Sequence, residues 1–166
     1  YFLFAGRVEA LKGIDIAVRA FEKLPDKKLY VAGNGPMMEE MQRYVREHHM
    51  ENVKFLGYLQ KDEMSEKFYQ AKAVIMTSQC YEAFAMTIAE AYSYGVPVIA
   101  GRVGNMDGMV QDGITGVKFT YNSAEDLADK ISAFDAMDLS VLKKNARAFY
   151  AERLRPEDNY QKLIRI

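Results

Sequence analysis

The sequence predicts an α/β fold: a doubly wound, Rossmann-like parallel sheet of about six strands with helices on both faces, followed by a C-terminal helical tail. Two observations predict it. Short apolar runs alternate with segments of helical periodicity, and glycine or proline stands between many of them. The predicted strands are YFLFA, KLYVAG, VKFLG, AVIMTS, PVIAG and GVKFT. Strands that alternate with helices in this way are typical of parallel sheets built from crossover units.

The helices are predicted in order from their apolar spacing. The first two carry residues three or four positions apart on one face, namely Ile14, Ala17, Val18, Phe21 and Leu24, and then Met38, Met41, Val45 and His48. A polar-headed helix follows at about Lys61 to Ala71, and another precedes Gly95, a residue suited to a left-handed helix end.

The C-terminal part is predicted to be helical. Ser123 and Asp126 have the spacing of a capping box at the start of one helix, and after about Leu139 only helical patterns remain. Pro156 would break or restart the last of them. We therefore predict one domain over residues 1–138 and a helical tail over residues 139–166 that packs on the same domain.

Composition narrows the class of protein. The 166 residues are 49% apolar, enough for a substantial core, and the 22 basic and 23 acidic residues nearly balance. No strongly basic surface suited to nucleic acid is therefore expected. The single cysteine, Cys80, and the lack of a signal segment or a long apolar run favour the cytoplasm. Because the chain opens on an apolar run without an initiator Met, we expect it to be part of a longer protein.

Ligands of doubly wound sheets bind at the carboxyl ends of the strands, so the loops there are the candidate sites. The first of these loops, GRVEALKG, places Arg7 and Lys12 just before a helix that starts near Gly13. Backbone N–H groups and the helix dipole favour an anion at such a position, and phosphate is the obvious one. Two solvated surface charges are the alternative, and the loop alone does not decide between them.

A second loop, GNGP, begins at Gly33 and resembles half of a dinucleotide-binding fingerprint. Met38 stands where the third glycine of that fingerprint would be. A tight turn into a helix, with Pro36 at its first position, is the better explanation of these residues taken alone.

Two glutamates give a sharper signal. Glu82 lies in the loop after a predicted buried strand, and Glu90 lies in the next helix among apolar and small residues. A buried carboxylate without partners costs several kcal/mol, so Glu90 either faces solvent or accepts hydrogen bonds. The two vicinal hydroxyls of a ribose would supply such bonds.

Five motifs now stand in order: GRVEALKG, VAGNGP, VKFLGYL, YEAFAMTIAEAYSYGVPVIAG and GMVQDGITG. This order resembles the carboxyl-terminal, donor-binding domain of retaining glycosyltransferases of the GT-B fold, in the large family 4 of nucleotide-sugar enzymes. The resemblance covers Tyr1 to about Thr120. Glu82 and Glu90 match the family's E-x7-E motif.

The resemblance implies a role for each matching residue. Arg7 and Lys12 match the basic pair that holds the donor diphosphate and stabilises it as it leaves. Glu82 matches a glutamate near the hydroxyls of the donor sugar, and Glu90 matches the one that binds ribose. Together with Gly33, these are the first predicted site residues.

Two further stretches complete the predicted donor site. Ala83, Phe84, Ala85, Met86 and Thr87 match the segment whose backbone N–H groups meet the diphosphate and the sugar. Phe55 and Leu56 match the rim of the base pocket. The family usually has glycine where this chain has Ala83 and Ala85, and it usually has an acidic residue where this chain has Gly108.

By resemblance the chain is expected to be part of a bacterial cell-envelope enzyme that transfers a hexose, with glucose favoured. The donor would be a nucleotide diphosphate sugar, with a UDP-sugar favoured, and the acceptor a hydroxyl of a lipid, sterol or polysaccharide. Neither a cofactor nor a metal is expected. Acceptor contacts would belong to an absent N-terminal domain, and peripheral attachment to the inner face of the cytoplasmic membrane stays open. The alternatives are a nucleotide-sugar 2-epimerase of the same fold and a non-catalytic flavodoxin-like regulatory module.

Overall fold

The computed structural model describes residues 1–80 and 85–154, except the side chain of Asn105. The strands are β1 (Phe2–Ala5), β2 (Leu29–Ala32), β3 (Val53–Gly57), β4 (Ala73–Met76), β5 (Val98–Gly101) and β6 (Gly116–Phe119). The helices are α1 (Ile14–Glu22), α2 (Met38–Glu47), α3 (Lys61–Gln70), α4 (Met86–Ser93), α5 (Gly104–Met109), α6 (Ala124–Phe134) and α7 (Leu139–Phe149). A 3-10 helix (Ala10–Lys12) precedes α1, and a π-helical turn (Tyr150–Leu154) follows α7.

The six strands form one parallel sheet in the order β3-β2-β1-β4-β5-β6. The predicted fold class is confirmed. The chain runs outward from β1 in one direction and then returns to β4 on its other side, so the order reverses between these two strands. In open α/β sheets this reversal leaves a crevice outside the carboxyl ends of the central strands.

Helices cover both faces of the sheet. Successive side chains of each strand point to opposite faces, so each strand contributes to a core on either side. In β1, Phe2 and Phe4 join a core with residues of α1, α2 and α6, whereas Leu3 joins a second core with residues of α3 and α4. Helix α7 contributes Leu142 to the first core, and Ala146 and Phe149 to the second.

Two predicted helix boundaries are confirmed in part. Gly95 follows α4 with φ 67°, the left-handed conformation expected there. Ser123 caps α6, since its Oγ accepts a hydrogen bond from the backbone N–H of Asp126 at 3.1 Å. The capping box prediction is otherwise wrong, because the Asp126 carboxylate accepts from the backbone N–H of Thr120 at 2.6 Å. This bond, the largest cause, holds the pKa of Asp126 below its usual range.

Two other sequence-based boundaries differ from the structure. Helix α2 begins at Met38, so Pro36 lies in the turn before it. The stretch after β5, for which the sequence analysis names no helix, folds into α5 from Gly104. Two salt bridges lie in and beside this helix. Nζ of Lys118 is 2.9 Å from Oδ1 of Asp107, within α5, and Nη2 of Arg102 is 2.8 Å from Oδ2 of Asp112, just after it.

No helix in the part of the chain that the structure describes is long and apolar enough to cross a membrane.

Tyr92 anchors α4 to the end of the sheet. Its side chain is fully buried, and its hydroxyl lies 2.8 Å from Oγ1 of Thr115, just before β6. Thr115 Oγ1 in turn accepts a hydrogen bond from the backbone N–H of Gln111 at 3.0 Å. Burial raises the pKa of Tyr92. This pair therefore fixes α4 against the turn that leads into β6.

Tyr92→Phe should lower the free energy of unfolding by about 1 kcal/mol, because it deletes a buried hydrogen bond while keeping the ring. The measurement is urea denaturation followed by circular dichroism. Tyr69→Phe is the matched control, since the Tyr69 side chain is 73% exposed and should tolerate the same deletion. Equal stability of the Tyr92→Phe variant and the unmodified chain would contradict this account of α4.

Candidate functional site

A small cavity lies where the strand order reverses. It has a volume of about 30 Å³ and lies at the carboxyl ends of β1 and β4. Its polar lining consists of Lys12, Thr77, Ser78 and Thr87, and the backbone of Gly6 closes one side. The structure therefore brings residues from β1, the loop after it, β4 and α4 to the crevice at which ligands of this fold class bind.

Lys12 is placed at the cavity by contacts of its own backbone. Its carbonyl oxygen accepts a hydrogen bond from Thr77 Oγ1 at 2.9 Å. The carbonyl of Leu11 accepts another from the backbone N–H of Gln79 at 2.8 Å. The loop after β1 is thus tied to the end of β4 at two successive residues, and this holds Lys12 beside the crevice.

Gly13 makes this close packing sterically feasible. It has φ 65°, and a Cβ at this position would lie 2.1 Å from the carbonyl oxygen of Thr77. Any side chain would meet both a strained backbone and a collision. Because Gly13 is also the N-cap of α1, the helix starts directly behind Lys12.

Arg7 lies on the same loop, with its side chain 66% exposed and its Nε 3.1 Å from Oε2 of Glu9. The loop is held at Val8, whose backbone N–H donates to the carbonyl of Asn34 at 3.0 Å. Its position at the carboxyl end of β1 leaves the guanidinium accessible from solvent. Lys12, in contrast, lines the cavity itself.

Gly33 directly follows β2 and lies beside the same loop. Its φ is 140°, and a Cβ there would lie 1.9 Å from the carbonyl oxygen of Gly6. Its backbone N–H donates to the carbonyl of Gly57 at 2.7 Å. The glycine therefore allows the ends of three neighbouring strands to pack closely. Its predicted contact with the donor stays a prediction.

Phe55 and Leu56 lie in β3, the edge strand next to β2. Phe55 packs against the core on the α1 side of the sheet, whereas Leu56 packs against the core on the α4 side. Adjacent residues of a strand face opposite ways, so these two side chains cannot both line one pocket. Tyr58, just beyond them, is 71% exposed.

Of the segment predicted to meet the diphosphate, Glu82, Ala83 and Phe84 lie outside the described residues. Ala85 is fully buried at the N-cap of α4, where its side chain makes no capping hydrogen bond. Met86 is 68% exposed, and Thr87 lines the cavity. The helix therefore begins at the crevice.

Glu90 lies on the exposed face of α4, so of the two possibilities that the sequence left open, the side chain faces solvent, and its contact with a ribose stays a prediction. It stands three residues after Thr87, and residues three apart are neighbours on a helix surface, with Cβ atoms about 5–6 Å apart. Although the side chain reaches solvent, protein atoms crowd the carboxylate on one side, and this partial desolvation raises the pKa of Glu90. Glu90 thus lies one turn from the cavity.

Thr77 and Ser78 were missed by the sequence analysis. Both are 2% exposed, and both line the cavity. The signal was present, because two hydroxyl residues directly follow the apolar run AVIM at the carboxyl end of a predicted central strand.

Comparison with known proteins identifies relatives. The family model described as "Glycosyl transferases group 1" matches residues 1–149. The sulfoquinovosyl transferase SQD2 of Arabidopsis thaliana is 29% identical over 150 residues, which cover 87% of this chain and 29% of the relative. A glycogen synthase of Mycobacterium tuberculosis is 29% identical over 152 residues, which cover 88% of this chain and 36% of the relative. The chain thus spans about a third of these relatives' length.

Solved structures agree on the fold. The Anabaena protein Alr3699/HepE, crystallised with UDP and glucose, superposes with a TM-score of 0.89 at 23% identity, over 99% of this chain and 46% of that one. A sucrose-phosphate synthase of Thermosynechococcus elongatus superposes with a TM-score of 0.84 at 28% identity, over 99% of this chain and 44% of that one.

Gly13→Ala should destabilise the fold by about 2 kcal/mol or more, because alanine is strained at positive φ and its Cβ would meet the Thr77 carbonyl. Urea denaturation measures the loss. Gly108→Ala is the control: a Cβ at Gly108 meets nothing within 4 Å, and alanine favours helix. If both variants unfold at the same urea concentration, Gly13 does not carry the packing of the loop against β4.

Proposed function

This chain belongs to the glycosyl transferases group 1 family, and we propose that it is the donor-binding domain of a retaining hexosyltransferase. The donor is a nucleotide diphosphate sugar and the acceptor supplies a hydroxyl. One observation carries the proposal: the family match includes the whole crevice between β1 and β4, where Lys12 and the start of α4 meet. Family membership favours this function over the flavodoxin-like regulatory module.

The diphosphate occupies the crevice in this proposal. Lys12 supplies a positive charge at the cavity, and the first turn of α4 adds backbone N–H groups and the positive end of the helix dipole. Arg7 approaches the phosphates from the solvent side of the same loop. As the bond to the sugar breaks, negative charge grows on the leaving diphosphate, and these cations stabilise it. The prediction that no metal takes part stays a prediction.

The ribose lies one turn along α4 from the diphosphate. Thr87 lines the cavity and Glu90 is its neighbour on the helix surface, a separation that fits the distance between a diphosphate and the ribose hydroxyls. Glu90 accepts hydrogen bonds from the two hydroxyls. Glu82 and the backbone of residues 83–87 contact the sugar, as the family resemblance implies, and Phe55 or Leu56 flanks the base from the edge strand.

A UDP-sugar is the proposed donor. The Anabaena relative was crystallised with UDP-glucose as well as with UDP.

The acceptor varies among relatives, whose names include a sulfoquinovosyl transferase, a glycogen synthase and a D-inositol 3-phosphate glycosyltransferase. An acceptor in the cell envelope, which the family resemblance implies, is part of the proposal. We assign acceptor binding to a domain outside this chain, and residues 139–166 to the donor domain.

UDP should bind this chain more tightly than GDP or ADP, and Lys12→Ala should weaken UDP binding by about tenfold or more, as expected for one lost charge-assisted hydrogen bond. Isothermal titration calorimetry measures both. Lys28→Ala is the matched control, because Lys28 is exposed at the opposite edge of the sheet, just before β2. Equal weakening in the two variants would attribute the effect to net charge and contradict a phosphate contact at Lys12.

Glu90 gives the binding a pH dependence of defined sign. Partial desolvation raises the pKa of Glu90 in the free protein, and hydrogen bonds from ribose hydroxyls would favour its charged form. Binding should therefore lower the pKa of Glu90, so affinity should increase as pH rises through the value of the free protein.

The measurement compares UDP affinity in the unmodified chain and in Glu90→Gln between pH 4 and 7. Titration of the ligand's own phosphates affects both proteins alike, so only the difference reports on Glu90. We expect Glu90→Gln to bind more weakly at pH 7 and to approach the unmodified chain at low pH. A constant difference across this range would remove Glu90 from the ribose site.

A further inference from the structure

A groove lies at the end of α4 opposite to the crevice, between the C-terminal parts of α3 and α4 and one face of α7. It has a volume of about 600 Å³. Its side chains are Tyr69, Ser93, Tyr94, Lys143, Lys144 and Arg147, and Gly95 forms its floor. We propose that this groove binds a phosphate ester, with the phosphate on the α7 cations and the organic part against the tyrosine rings.

The groove and the crevice are at opposite ends of α4. Thr87, in the first turn, lines the crevice, whereas Ser93, the last residue of the helix, lines the groove. Ser93 is six positions after Thr87, which corresponds to a rise of about 9 Å along the helix. One ligand at the crevice therefore leaves the groove free for another.

Charge identifies the class of ligand. Every charged residue that lines the groove is a cation, and Lys143 and Arg147 lie one helical turn apart on α7. Elsewhere, Lys23, Lys72 and Lys118 each pair with a carboxylate. Within the described ranges, the amino groups of Lys143 and Lys144 form no such ion pair. Three clustered cations, with no carboxylate among the described lining residues, favour an anion of high charge density.

Two of the groove's components are held in place before any ligand arrives. The Arg147 guanidinium donates a hydrogen bond to the carbonyl oxygen of Ser93 and lies 5.4 Å from the centroid of the Tyr150 ring. A Cβ at Gly95 would lie 3.3 Å from the carbonyl oxygen of Lys143, so glycine lets α7 approach the end of α4 closely. The Arg147 guanidinium, held in place in this way, would lose little freedom on binding an anion.

The tyrosines supply a surface for the organic part. Tyr94 stacks on Phe68 with ring centroids 5.6 Å apart, and its hydroxyl lies 2.7 Å from Ser65 Oγ. Tyr69 is 73% exposed, so its ring is open to solvent. A sugar or glycerol unit attached to the phosphate would cover this ring. The same chemistry occurs in soluble phosphate esters and in the headgroups of anionic phospholipids.

The test is an NMR titration of the ¹⁵N-labelled chain with inorganic phosphate and with ribose 5-phosphate, which reads the backbone amides of Ser93, Tyr94 and Gly95. We expect saturable shifts of these amides, with ribose 5-phosphate binding more tightly than inorganic phosphate. Lys143→Ala with Lys144→Ala should weaken this binding about tenfold. Lys28→Ala with Arg43→Ala removes two exposed cations elsewhere and should leave it unchanged.

A second experiment distinguishes a soluble phosphate ester from a phospholipid headgroup as the ligand. Sedimentation with vesicles of phosphatidylglycerol, compared with phosphatidylcholine, tests the headgroup. Binding to phosphatidylglycerol that depends on Lys143 and Lys144 supports the proposal with a lipid as the source. Saturable binding of ribose 5-phosphate alone supports it with a soluble ester. The proposal is overturned if neither probe binds, or if the Lys143 and Lys144 double variant binds both as well as the unmodified chain does.

Discussion

The close packing of the loop after β1 against the end of β4 is the constraint on which the candidate site depends. Gly13 leaves no space for a Cβ beside the Thr77 carbonyl, and the Thr77 hydroxyl donates to the carbonyl of Lys12. These contacts join two strands that are neighbours in the sheet but are far apart in sequence. They place Lys12 where the strand order reverses, which is where ligands of doubly wound sheets bind.

Helix α4 connects the parts of the molecule that carry chemistry. Its buried face, with Ile88, Ala91 and Tyr92, fixes it to the sheet, and its exposed face carries Glu90. Because the helix begins at the crevice and ends at the distal groove, one rigid element positions both surfaces. The anchoring of Tyr92 on Thr115 therefore matters to the site, although neither residue lines it.

Much of the fold could be predicted from the sequence because the local pattern of apolar residues and glycines agrees with the secondary structure that forms. Each apolar run became a strand, and Gly95 ended its helix in the expected conformation. The exceptions depend on tertiary contacts. Asp126 bonds to Thr120, a partner that the capping pattern does not reveal, and α5 forms where Asp107 and Asp112 meet cations that lie apart from them in sequence.

The candidate site was predictable to a smaller extent. Lys12, predicted from the loop after β1, and Thr87, predicted from the family resemblance, both line the crevice, and their contacts with a donor stay predictions. The sequence left the exposure of Glu90 open, because residues adjacent in sequence point to different faces of a helix and its apolar neighbours lie on the buried face. The opposite orientation of Phe55 and Leu56, in contrast, follows from the alternation of side chains along any strand and was predictable from the strand VKFLG alone.

The central claim is that a nucleotide diphosphate occupies the crevice between β1 and β4. An NMR titration of the ¹⁵N-labelled chain with UDP tests it most directly, because it locates the ligand residue by residue. The account predicts saturable shifts at the backbone amides of Gly6, Gly13, Ser78 and Thr87, with little change at Gly95. Saturable shifts confined to other parts of the chain, or no shifts at millimolar UDP, would contradict it.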